Sequence, residues 1–519
     1  MRGGGAPDRG VGLRVKGEGV MVSIGLSKSK LMAYRQCPRR LWLSVHEPDC
    51  AEEADATTAA FTIGHQVGAV ACDLYPEGLW IAPEGPLSRA LHETTQALQS
   101  TPRQPLFEAT VAYKDLLVRA DILKPVAQKW DLIEVKASTS VKDHYWDDVA
   151  IQTYTFQQAG VPIRHSVLQY VHNAFVYPGK GCYHEITSNG HVNSLFAQED
   201  LTKDIASLLT AVPRWVQEAQ TLLAGPMPPL TDHCEDPYPC PFLGYCYGEG
   251  PEYPLSILPR LSAKQHDLLT AQGYTDVRDI PARVLTNDTH EWVRAITVSQ
   301  QPDLRPEAAA VIKALTYPRY YLDFETIQFA VPIWQGTRPY EQLPFQWSCH
   351  IEKKDKTLTH QEFLDLSGEA PMRAFAQSLL ITLKTAGPIL VYNQAFEGRI
   401  IRELAVRFPD LSVALTALLP RLVDLLPLTR QHYYHPDMKG SWSIKAVLPT
   451  IAPDLDYAQL DGVQDGGQAQ QAYIEAIDPN TPVVRKGVIK QSLIAYCERD
   501  TEAMVRLAHF LMGPASQRQ

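Results

Sequence analysis

The chain has 519 residues, 45% of them apolar and 20% charged, with a formal net charge of −10. That length suggests about three domains. It contains no run of about 18 apolar residues and no charged-then-apolar leader, so a cytoplasmic protein with no membrane partner is expected. The acidic balance argues against a uniformly basic nucleic-acid footprint, although metal-holding carboxylates would themselves produce it. Nine cysteines at this size point to metal or redox ligation in preference to disulfides.

In chain order, residues 1–22 are Gly-rich and unpatterned. They are expected to be a disordered extension of a chain whose working start is Met21. Residues 23–250 mix helix and strand patterns. SKSKLMAYRQCPRRLWLSV reads as helical with Ser27 as N-cap, and FTIGHQVGAVACDLYP as a second helix. Three strand-like runs follow, LFEATVAY, LLVRADILKPV and WDLIEVKAS. DDVAIQTYTFQQAG then reads as a helix and HSVLQYVHNAFVY as a strand. The Pro-rich stretch PMPPLTDHCEDPYPCPF should be irregular. Residues 251–315 read as a small helical connector, with a helix–turn–helix pair around Gly273. Residues 316–519 open a new α/β pattern that ends in the helix QSLIAYCERDTEAMVRLAHFL.

Within WDLIEVKAS, Glu134 and Lys136 are two apart and share a strand face. Hairpin pairing would bring Asp121 beside Glu134. An acid pair with a lysine on one sheet face suits Mg²⁺ and a water oriented for attack on phosphate. His65 could add an imidazole, Gln152 and Tyr154 could contact metal-bound water or a nucleic-acid backbone, and Glu108 could add an acid. E-x-K alone is a common surface pair. The ordered set Gly64-His65, Asp121, Glu134-x-Lys136 and Gln152-x-Tyr154 resembles the RecB-like branch of the PD-(D/E)XK nucleases. The resemblance implies a restriction-endonuclease-like domain over 23–250. Gln152 and Tyr154 are two apart, where many members of that branch space them by four.

In YYLDFETIQF, Asp323 and Glu325 also share a strand face. Asn393, Phe396 and Glu397 stand where a strand passes into a helix, and Tyr496 and Asp500 share a helix face. Strand acids with a helix acid can hold two metal ions about 4 Å apart for phosphodiester hydrolysis, with the tyrosine hydroxyl positioning a water. This order resembles the tyrosine subclass of the DEDD exonucleases and implies an RNase H-like domain over 316–519. Glu397 stands where that family places Asp, with Asp424 as a weaker substitute. Lys445 could approach phosphate, though a surface helix lysine is the plainer reading.

Cys234, Cys240 and Cys246 are separated by five residues each, and Cys37 lies far upstream. The RecB-like iron–sulfur nucleases are similar, with one cysteine before the nuclease core and three after it. The resemblance implies a [4Fe–4S] cluster on Cys37, Cys234, Cys240 and Cys246. The family's usual trailing triplet is C-x2-C-x5-C, so only the last interval agrees. Zinc remains the alternative, although four-cysteine zinc sites more often show paired C-x2-4-C knuckles, which are missing here. Cys50, Cys72, Cys182, Cys349 and Cys497 lack companions at ligand spacing and read as buried thiols.

The fold class expected is therefore α/β (α+β): a PD-(D/E)XK domain, a helical connector and an RNase H-like domain. Together the two halves resemble an uncharacterised bacterial family, domain of unknown function 2779. The implied activity is an Mg²⁺- or Mn²⁺-dependent nuclease on single-stranded or end-frayed DNA, in DNA repair or defence. An RNA exonuclease run by the C-terminal half and a non-catalytic nucleic-acid-binding scaffold are the alternatives.

Overall fold

The computed structural model describes residues 25–52, 55–82, 84–186, 192–230, 234, 236–248, 250–455 and 457–513. The expected N-terminal extension lies outside them. The chain is mixed α/β and divides into two compact units, Met1–Gly248 with Phe329–Tyr340, and Glu249–Gln328 with Glu341–Gln519.

The first unit is built on a seven-stranded mixed sheet. Its centre is the antiparallel meander Leu106–Tyr113, Leu116–Val126 and Lys129–Lys136. These are the three alternating runs read in the sequence. From Lys129–Lys136 the chain crosses over through the helix Asp143–Gln158 to Ile163–Val171, which pairs parallel with it. Both sheet faces are covered. Leu123, Leu132, Val149, Ile151, Phe156 and Trp215 pack on one face. Val67, Phe107, Ile122, Ile133 and Phe175 pack on the other.

The segment read as one helix after Ser27 is two, Lys28–Gln36 and Pro38–His46. Ser27 caps the first by accepting from the Lys30 N–H. Cys37 sits extended at the break, at φ −155°. Pro38 forces this, because it excludes the residue before it from helical geometry and is itself well suited to a first helical position. The described part of the Pro-rich segment carries neither helix nor strand before Leu243–Tyr247.

In the second unit, Arg319–Ile327 is the middle strand of five. It is flanked by antiparallel Leu343–Glu352 and Leu358–Leu364 on one side and by parallel Ile389–Val391 and Leu422–Asp424 on the other. The helix Val483–Leu511 is fastened to Leu343–Glu352. Gln346 donates to the Leu493 carbonyl at 2.8 Å, and the Thr501 hydroxyl meets Ser348 and His350 at 2.8 Å each. The short helices of 251–315 share a core with this sheet through Tyr253, Ile257, Val293, Tyr321, Leu390 and Leu507.

The expected helix–turn–helix pair around Gly273 does not form. After the helix Ala263–Ala271, only the single turn Val277–Asp279 follows. Pro281 ends it, since the residue before a proline avoids helical geometry. Among the described residues, no helix is long and apolar enough to cross a membrane.

Gly440, at φ +75°, lies directly against the Ile257 backbone and joins the helical segment to the rest of this core. A methyl group there would meet both the Ile257 carbonyl and an unfavourable backbone conformation. Gly440→Ala should cost about 2–4 kcal/mol, read as a lower denaturant midpoint of the full chain.

Candidate active sites

Pairing between the strands carrying Asp121 and Glu134 runs from the turn to Ile122↔Ile133 and stops there, just before the two acids. The Asp121 carboxylate takes the place of the next ladder partner, accepting from the Val135 N–H at 2.7 Å. Across from it, Glu108 is left out of the ladder and adopts the left-handed region at φ +60°. Strain of this kind concentrates where a sheet is opened to hold a functional group. Glu108 itself faces Arg119 at 3.5 Å.

Glu134 and Lys136 do share a face, and two further residues meet them there. The Lys136 ammonium lies 2.7 Å from both Glu134 and Asp148. Lys28 lies 3.0 Å from Glu134 and 3.1 Å from Asp148. The Gln152 amide donates to Glu134 at 2.6 Å and to Asp148 at 2.9 Å. Two acids thus meet two lysines, and the pair is charge-balanced. Burial works to discharge both lysines, but Asp148 and Glu134 outweigh it and hold them charged. Asp148 is held well below the usual carboxylate range: burial opposes this, and Lys136 and Lys28 overcome it. Asp121 is pushed up to about 8 by burial and by the Glu134 charge.

Lys28 and Asp148 were not singled out in the sequence. Asp148 precedes Gln152 by one helical turn, a spacing that could have pointed to it. Tyr154 is turned away and packs edge-on against Tyr113, because residues two apart on a helix point in nearly opposite directions. His65 is exposed on the helix Asp55–Cys72, seven residues before Cys72 and on the same side of that helix.

In the second unit, Asp323 and Glu325 lie on the middle strand, Glu397 in the first turn of Gln394–Arg407, and Asp500 on the long C-terminal helix. Glu325, Glu397 and Asp500 are each less than a tenth exposed. Burial raises the pKa of all four carboxyls. Asp500 and Glu325 add to it for Asp323, and Asp500 adds to it for Glu325. Asp500 is pushed up to about 6 and Glu397 to about 8. The Oε2 atom of Glu397 is buried with no hydrogen-bond partner. Lys445 draws Glu325 and Asp500 the other way, with its ammonium 5.1 Å and 5.2 Å from the Tyr496 and Tyr457 rings. Lys445 is therefore part of this cluster and not the bare surface lysine of the plainer reading.

Tyr457, absent from the sequence reading, donates to Asp500 at 2.5 Å. Burial and the neighbouring acids keep the Tyr496 phenol protonated far above its ordinary value. Asp424 is already engaged by backbone. Its carboxylate accepts from the Asn393, Gln394 and Leu426 N–H groups at 2.9–3.0 Å. Asn393 is exposed, in left-handed backbone at φ +89°. Unbalanced buried carboxylates with an orphaned oxygen fit oxygen-ligated divalent cations.

Cys37 is buried, and Cys234, Cys240 and Cys246 are half-buried. Burial raises the Cys240 and Cys246 thiols, and the charges of Cys234 and Cys37 contribute to both. The helices on either side of Cys37 are laced to the trailing segment. Gln36 donates to the Tyr238 carbonyl at 2.6 Å, Trp42 to Gly225 at 3.1 Å, and the Glu52 N–H to Pro241 at 2.7 Å. Of the other cysteines, Cys72, Cys349 and Cys497 are buried, whereas Cys50 and Cys182 are only half-buried. Those two lie in a short turn and a loop.

Residues 320–443 match the family described as "Domain of unknown function (DUF2779)". That range includes Asp323, Glu325, Asn393 and Glu397 and stops before Lys445, Tyr496 and Asp500. The chain is also similar to the "Uncharacterized protein MG366 homolog" of Mycoplasma pneumoniae (strain ATCC 29342 / M129 / Subtype 1). The two are 24% identical over 263 residues, covering 46% of this chain and 39% of the relative. The match thus spans well under half of that relative's length. Both findings support a relationship to the DUF2779 family. No solved structure matches.

Glu397 gives a pH prediction. Its folded value, about 8, lies above the ordinary 4.5. Between those values the native state binds more protons than the unfolded state, so stability falls as pH rises. Glu397→Gln removes that slope. Without divalent cations it should be more stable than the parent chain at pH near 8 by roughly 1–3 kcal/mol. Denaturant midpoints across pH should show the gap close below about pH 4.5.

Proposed function

We propose that the chain is a divalent-metal-dependent nuclease that hydrolyses phosphodiester bonds, with its main centre in the second unit. The observation that carries this reading is the carboxylate quartet of half-buried Asp323 and buried Glu325, Glu397 and Asp500, with Lys445 the cation set against it. The middle-strand position of Asp323 and Glu325 supports the RNase H-like, DEDD-type assignment. A pair of Mg²⁺ or Mn²⁺ ions there would polarise the phosphate and supply a hydroxide-like nucleophile near neutral pH.

The chain's own residues divide the remaining work. The four carboxylates would hold the positive charge of the cations. Tyr496 keeps its proton, so it orients a water as a hydrogen-bond donor and does not act as a base. Tyr457 fixes Asp500 through its 2.5 Å hydrogen bond. Lys445 faces the same volume with a charge complementary to phosphate. Single-stranded or end-frayed DNA is the substrate proposed, with repair or defence as the setting.

For the first unit, the opened strands at Asp121 and the Glu134–Lys136 pair support a PD-(D/E)XK-type centre. One observation favours a second reading for this unit, in which it binds nucleic acid without cutting it. Both acids beside Lys136 are already neutralised by Lys28 and Lys136. Cys37, Cys234, Cys240 and Cys246 are proposed to hold a [4Fe–4S] cluster that ties the Cys37 helices to the end of the unit. Among the described residues, no three of these sulfurs lie within 4.8 Å of one another.

With Mn²⁺ and labelled single-stranded DNA or RNA, the purified chain should cleave, and Asp323→Ala should lose at least about 100-fold in rate. If Lys136→Ala leaves cleavage unchanged, the first unit is a binding module; a parent chain that binds but never cleaves would sink the nuclease reading. Iron and acid-labile sulfide assays should find both in a brown protein, and Cys37→Ser should lose them. A colourless protein holding zinc would overturn the cluster.

A further inference from the structure

Cys497 follows Tyr496 on the long C-terminal helix and is fully buried, yet one side of it is lined by carboxylates. Its sulfur lies 3.8 Å from Asp323 Oδ2. Ligand atoms of Asp323, Glu325 and Cys497 all lie within 4.8 Å of one another, and no other trio of His, Cys, Asp or Glu among the described residues does so. A cation about 2.3 Å from sulfur and about 2.1 Å from oxygen would set those two atoms about 3.6–3.8 Å apart at bond angles between tetrahedral and trigonal. The observed separation falls in that range. A second, independent sign of a missing ligand is Glu397. It is 1% exposed, and its Oε2 has no hydrogen-bond partner. Its charge acts on Asp323, which places it at the same centre.

We infer that Cys497 supplies a sulfur ligand to the cation held by Asp323 and Glu325, so that this centre favours cations that accept sulfur over Mg²⁺. The inference rests on the metal-site reading above and narrows it. On binding, the S–H bond breaks, sulfur keeps the electron pair as a thiolate ligand, and the proton leaves to solvent, with no change of oxidation state. Soft thiolate selects against Mg²⁺, which prefers an all-oxygen octahedron.

The test is direct cation binding to the full chain, with Cd²⁺ and Mg²⁺ as probes, followed by calorimetry and by thiolate-to-cadmium charge-transfer absorbance. Cys37, Cys234, Cys240 and Cys246 also take Cd²⁺, so the signal is read as the difference between the parent chain and each variant. Cys497→Ser should lose one thiolate's share of absorbance and weaken Cd²⁺ at the Asp323-dependent site at least about 10-fold, leaving Mg²⁺ affinity unchanged. Asp323→Asn should remove the same absorbance increment although Cys497 is intact, and this decides the matter if Cys497→Ser does not fold. If Cys497→Ser binds Cd²⁺ like the parent while Asp323→Asn abolishes the site, the thiol is no ligand and the metal centre stands. If neither cation binds in an Asp323-dependent way, the inference and the metal-site reading fall together.

Discussion

Lys28 and Lys136 each span Glu134 and Asp148, whereas the four acids of the second unit have one lysine among them. Buried negative charge must be met by positive charge or by protons, because an isolated ionised carboxylate in an apolar interior costs many kcal/mol. The first unit meets that demand at Glu134 and Asp148 with its own lysines and leaves only Asp121 to a proton, whereas the second leaves it to protons or to cations from solvent. Most of what distinguishes the two centres follows from this. The first is held rigid by six short polar contacts. In the second, acidity constants are pushed toward neutrality and an oxygen is left without a partner.

The local patterns of both sheets were legible in the sequence because strands alternate and the acids were spaced by two. LFEATVAY and LLVRADILKPV coincide with strands residue for residue. Contacts that close over long sequence distances were not legible. Lys28 reaches Glu134 across more than a hundred residues, and Tyr457 reaches Asp500 from a short turn that no periodicity marks. Tyr154 stands two residues from Gln152 where the resembled nucleases more often use four, and helical geometry accordingly puts it on the far side, against Tyr113. The helix break at Cys37 was written in the Cys-Pro step, yet the flanking helical pattern masked it.

Asp424 shows a carboxylate put to structural use by its own neighbours. Three N–H groups converge on it, so it joins the end of one parallel strand to the start of the helix carrying Glu397. Its contribution is to position Glu397. A charge-assisted acceptor of this kind is stronger than a neutral one, so the first turn of that helix stays fixed although Asn393 before it is strained.

The sequence distance between the Cys37 helices and the trailing segment they bond to also has a consequence in time. Roughly 200 residues separate Cys37 from Cys234. At about 5–20 residues per second of synthesis, Cys37 leaves the ribosome some 10–40 s before Cys234 is made. The helices around it cannot close on the trailing segment during that interval. Phe329–Tyr340, which belongs to the same unit, arrives later still. The N-terminal half is thus committed to waiting, with its apolar strands made and its fastening absent, which is when a nascent chain most needs a chaperone.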